Sequence, residues 1–162
     1  MEDETESGDD GRAAEAADKL VRATWGGTVV FVLTAGVAVL VEAALIVSVP
    51  VALLLFAIGV VTFAMAFLRS AGRSRSELVT VPGTYFLVGS APAGVARSMR
   101  LALAVQVIVA LATAAIRPFS GVAFGILVPM FGLGMIGLWG ARHGRFEPRP
   151  VPAGPKRSRE SG

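Results

Sequence analysis

Charge is nearly absent from long stretches of this chain, and that absence dictates the fold class. Between Arg22 and Arg69 the only charged side chain is Glu42. After Arg100 the next charge is Arg117, and none follows until Arg142. Four apolar blocks result, at 26–47, 51–68, 101–116 and 119–140, the first two separated by Ser48-Val49-Pro50. A helix that crosses a bilayer needs roughly 20 apolar residues, with a range of about 17–25. The third block falls short and is expected to extend through Ser98, Met99 and a snorkelling Arg100. Helices of a soluble bundle carry a polar face along their length; these blocks have none. The reading is an all-α, four-helix transmembrane bundle in the lipid bilayer.

Composition narrows the chemistry. Charged residues are 17% of the 162 and hydrophobic residues 54%, where a soluble domain carries about 25% charge. There is no Cys, no Asn and a single His, His143. Disulfides, thiolate metal sites and Cys nucleophiles are excluded. A lone histidine has no second imidazole with which to complete a metal site. No GxxxxGK[ST], GxSxG or HExxH occurs. The expectation is a chain that is not an enzyme, with no catalytic residue, cofactor, metal or nucleic-acid partner.

Orientation follows from Lys and Arg, which concentrate on the cytoplasmic side. Four spans with both termini cytoplasmic put fourteen of the fifteen basic residues inside and leave only Arg117 outside. Trp25 and Trp139 then mark the cytoplasmic ends of the first and last spans, where aromatic belts form. The first block is expected to be a retained span: a cleavable signal opens with a short basic region, whereas this chain opens acidic.

Five segments follow. Residues 1–22 hold eight acids and three bases and are expected to be mostly disordered. Residues 23–68 form a first transmembrane hairpin with its turn at 48–50. Residues 69–97 form a cytoplasmic loop, within which the β-prone runs 78–81 and 84–88 could pair as a short hairpin around Pro82-Gly83, a point the sequence leaves open. Residues 98–141 form the second hairpin, turning at Arg117-Pro118. Residues 142–162 carry six bases, two acids and four prolines, and are expected to be a disordered tail that meets anionic lipid headgroups.

Few residues in the spans need a special reason. Glu42 would sit in the outer third of the first span, where a charge is costly. Arg117 is the one outer base and is within reach of it, so a Glu42–Arg117 pair locking hairpin to hairpin is the leading expectation. A Glu42 that titrates during transport is the sharper one. Gln106, midway along the third span, is expected to make an interhelical hydrogen bond, with Thr34, Thr62 or Thr113 as partners or bonded to their own backbones. The fourth span carries Gly121, Gly125, Gly132, Gly134, Gly137 and Gly140, with Pro129 as a mid-helix kink. Small residues let backbones approach closely. Either Ala110 and Ala114 of the third span or a partner chain would meet them.

An acidic start, spans rich in Ala, Val and Gly, thirteen Arg against two Lys, and the run Gly137-Leu138-Trp139-Gly140-Ala141-Arg142-His143-Gly144 carry a resemblance of style. The chain resembles the small, uncharacterised four-span integral membrane proteins common in actinobacteria. That resemblance implies a multi-pass cell-membrane protein and no particular activity. Four spans and a membrane Glu in the first are also features of the small multidrug resistance transporters. The chain departs from these in the depth of Glu42, its long central loop and its extended tails. The functional expectation is an accessory or assembly subunit binding another membrane protein. The alternative is a small transporter or permease component using Glu42, as a homodimer.

Overall fold

The structure, a computed structural model, describes residues 3–149. It is all-α, with four helical segments long and apolar enough to cross a membrane, at Ala14–Leu40, Glu42–Arg73, Ala93–Ile116 and Gly121–His143. The α-helices are α1 (Asp3–Leu40), α2 (Leu45–Arg73), α3 (Val81–Tyr85), α4 (Ala93–Ile116) and α5 (Pro129–His143). Two tight connections lie at one end of the bundle. The two ends of the described residues and the 74–92 connection lie at the other, called here the terminal end.

The first turn is not at Pro50. Helix α1 ends at Leu40, Val41 is extended, and a 3-10 turn over Glu42–Ala44 leads straight into α2. Ser48 and Pro50 are inside α2. Span length explains the difference. The 27 residues from Ala14 to Leu40 already cover about 40 Å at 1.5 Å per residue, beyond a hydrocarbon core of about 30 Å. Continuing to Val47 would overshoot and would carry Glu42 through lipid. Turning at Val41 leaves the carboxylate exposed in the first turn of the 3-10 segment, where a helix start favours negative charge. Transmembrane helices accommodate an interior proline when neighbouring helices satisfy the freed carbonyl.

The acidic start is helical and continuous with α1 from Asp3 onward, not a separate disordered tail. At the other terminus, residues 144–149 are not free either. They run antiparallel to 76–78, with Leu78 N–H donating to Glu147 O at 2.8 Å and Arg149 N–H to Ser76 O at 2.9 Å. Residues 150–162, most of the expected basic tail, lie outside the described residues.

The 78–88 segment, which could have paired as a β-hairpin, does not. Its centre is the short helix α3, N-capped by Thr80, whose hydroxyl accepts from Gly83 N–H at 3.1 Å. Pro82 fits the first helical turn, where its missing N–H costs nothing. Thr-x-Pro-Gly thus opens a helix, and the β-branched neighbours do not prevail over a cap. Leu87 follows with φ +54° and is 1% exposed. Burial of its side chain under the bundle offsets a left-handed backbone that costs roughly 1–2 kcal/mol in a non-glycine residue.

Helix α5 is the centre of the bundle, with ten of its fifteen residues buried. Glycines allow this. A Cβ on Gly59 of α2 would fall 2.5 Å from the Phe131 nitrogen, and one on Gly134 would strike the Gly59 carbonyl, so α2 and α5 touch backbone to backbone. A Cβ on Gly137 would be 2.5 Å from the Tyr85 ring, and one on Gly140 would meet the Thr84 carbonyl, which seats α3 against the end of α5. Gly121 faces Val49 and Leu45, and Gly125 faces Phe31. The small-residue face of the fourth span is therefore filled from within the chain.

Candidate functional site: a polar junction and a basic end

The fourth span is discontinuous. A 3-10 segment over Gly121–Leu127 precedes α5, which starts at Pro129. Pro129 is the first residue of a helix rather than a kink within one. Seven residues at about 2.0 Å and fifteen at about 1.5 Å give roughly 36 Å, so the broken span still crosses the hydrocarbon core. The break leaves helix-start N–H groups inside the bundle, where an unpaired donor is costly. Phe131 N–H takes the Val128 carbonyl at 2.8 Å. Gly132 N–H instead donates to Gln106 Oε1 at 3.1 Å.

Gln106 is 0% exposed and joins three helices. Its amide nitrogen donates to Thr28 Oγ1 of α1 at 2.6 Å, and Thr28 passes its own proton to the Thr24 carbonyl at 2.8 Å. Gly132 must be glycine for this, because a Cβ there would lie 2.6 Å from Gln106 Oε1. The sequence singles out Gln106 but not Thr28. Thr34, Thr62 and Thr113 all bond backbone carbonyls of their own helices three or four residues back.

Glu42 and Arg117 do not meet. Arg117 Nη1 donates to the Ala38 carbonyl near the end of α1 at 3.3 Å. The described residues make three ion pairs, Lys19–Glu15, Arg22–Asp18 and Arg73–Glu77, and Glu42 is in none of them. Arg117 does tie the second hairpin to the first, but through a helix-end carbonyl. A cation is favourable there for the same electrostatic reason.

The terminal end holds the residues that sequence reasoning missed. Arg73 pairs with Glu77 through Nε at 2.9 Å and Nη2 at 2.7 Å. It also donates to the Ala141 carbonyl at 3.1 Å and the Gly144 carbonyl at 3.0 Å, and lies 5.2 Å from the Phe146 ring centroid. One side chain thereby caps the last turn of α5 and holds 144–149 against the loop. Trp25 Nε1 donates to Ser98 Oγ at 2.9 Å, joining α1 to α4 at the same level. Tyr85 stacks on Phe63 at 4.6 Å, and burial raises its phenol pKa above the ordinary value. Only the Arg73–Glu77 spacing, an oppositely charged pair four apart in sequence, could have been read in advance. The other contacts join residues far apart in sequence.

No protein-family model, curated protein or solved structure matches the chain.

Proposed function

We propose that this is a multi-pass protein of the cytoplasmic membrane with both termini in the cytoplasm, acting without chemistry of its own as an accessory or assembly subunit of another membrane protein. The observation that carries the reading is the outer face of α1. Val29, Leu33, Val37 and Leu40 are half or more exposed, and Gly26 and Gly36 on the same helix have no atom within 4 Å of where a Cβ would stand. Beside them a groove of about 290 Å³ is lined by Leu33, Thr34, Val37, Ala44 and Val47. Small residues facing outward leave room for a partner helix to approach closely. The fourth-span glycines offer no such room, being occupied within the chain.

The transporter alternative has less to draw on, because Glu42 is exposed at the turn that opens the second span rather than in the interior of the first. Inside the spans Gln106 is engaged in holding helices together, and Thr34, Thr62 and Thr113 are bonded to their own helices. Basic residues at the terminal end favour the cytoplasmic assignment and suit anionic headgroups of the inner leaflet.

Purification from native membranes in a mild detergent, with mass spectrometry of everything that co-elutes, tests the role. A membrane protein at fixed stoichiometry, released by Gly36→Leu, is the expected result. A chain that elutes alone, wild type and variant alike, overturns it.

A further inference from the structure

At the terminal end a cavity of about 830 Å³ opens between the first turns of the first span, the 89–92 segment and the end of α5. Its polar lining is one-sided. Trp139 is 3% exposed, lines the cavity, and its indole N–H has no acceptor among the described residues. His143 Nε2 beside it is likewise buried without a partner, the two rings 5.6 Å apart. Arg142 and Arg145 line the same space and are exposed, and neither is in an ion pair among the described residues. Helix α4 begins immediately after Pro92 with no side-chain cap, and Gly94 in its first turn faces open space. The positive end of that helix thus begins next to the 89–92 segment that lines the cavity. Among the described residues no acid lines the cavity; Glu15 and Asp18 of α1 are paired with Lys19 and Arg22 along their own helix.

Donors without acceptors call for an anion. Two guanidinium groups suit the several oxygens of a phosphate better than a single carboxylate. The volume is that of a small-molecule site, not of a bare ion. A buried indole N–H without a partner is costly, and a phosphate oxygen would satisfy it. We propose that this cavity binds a phosphate group carried on a small polar body, held by Arg142, Arg145 and the indole N–H of Trp139. The source is either the headgroup of an anionic phospholipid or a soluble phosphomonoester. The site goes beyond the accessory role and does not depend on it.

The full chain carrying Trp25→Phe leaves Trp139 as the one tryptophan and hence as the reporter. In dodecyl maltoside, a detergent without phosphate, its emission is followed as glycerol 3-phosphate is added, and separately as dioleoyl phosphatidylglycerol is added. A saturable change is expected from at least one probe. A response to the lipid alone identifies a headgroup site, and a response to the soluble ester identifies a metabolite site. Replacing Arg142 and Arg145 together by Gln should weaken the response about tenfold or more. Ala14→Leu, which narrows the cavity and leaves every charge in place, should weaken it too. The proposal is overturned by no saturable change with either probe, by equal affinity for glycerol, or by unchanged affinity in the double Arg variant.

Discussion

Gln106 is the side chain on which the bundle's geometry turns. It caps a helix start that the Pro129 break exposes inside the bundle, and it links α1 to α5 through Thr28. Gln106→Leu should therefore destabilise the protein by about 1–3 kcal/mol, since it leaves the Gly132 N–H without an acceptor. Thr28→Val removes the bond from Gln106 and the bond to the Thr24 carbonyl but spares the Gly132 bond, and should cost about 0.6 kcal/mol, and not much more than about 1.7. Unfolding in mixed detergent, followed by circular dichroism, gives the order. Equal effects would mean that the Gly132 bond contributes nothing. Glu42 and Arg117 give a contrasting prediction. Glu42→Gln and Arg117→Gln should add within about 0.5 kcal/mol in a double-mutant cycle, as non-touching residues do; a larger coupling would restore the ion pair. Tyr85 is the single tyrosine, so its phenolate absorbance is unobscured. Burial raises its pKa, so in the folded protein it should ionise above the ordinary value of about 10. The unfolded chain then releases that proton first, and stability falls as pH rises past about 10. Titration at the ordinary value in the folded protein would contradict the buried position.

The spans were legible in the sequence because lipid imposes one strong rule, and a long interval without charge obeys it. The element ends were less legible. Pro50 reads as a boundary in a soluble helix, but here the overall length of the span and the cost of immersing Glu42 set the turn. The 78–88 segment reads as strand by its β-branched residues, but the Thr80 cap and Pro82 start a helix that the glycines of α5 receive. Which glycines face inward was not legible, because all stand in similar apolar surroundings. The structure separates them. Gly134→Ala forces a methyl into the Gly59 carbonyl and should destabilise by about 1–3 kcal/mol. Gly36→Ala meets nothing and should be neutral or stabilise by about 0.5–1 kcal/mol through helix propensity. Thermal unfolding of the two variants in the same detergent compares them directly. Comparable losses would mean that the two glycines are packed alike.

Among the described residues, two tight turns define one end, and Asp3, Arg149, the 74–92 connection and most of the basic residues define the other. Arg73 closes the terminal end and Arg117 the turn end, each by donating to helix-end carbonyls of a neighbouring element. This polarity underlies both functional proposals: the proposed partner face runs along α1 across the bilayer, and the proposed phosphate cavity opens at the terminal end. The account thus depends on four crossings with the basic end inside. The chain has no cysteine, so single substitutions can be labelled without background. Intact cells treated with a membrane-impermeant maleimide should label Ser120→Cys at the outer turn at once. Ser74→Cys and Ser161→Cys should react only after the membrane is opened. Labelling of Ser74→Cys or Ser161→Cys in intact cells, or protection of Ser120→Cys, would contradict the arrangement from which every other inference follows.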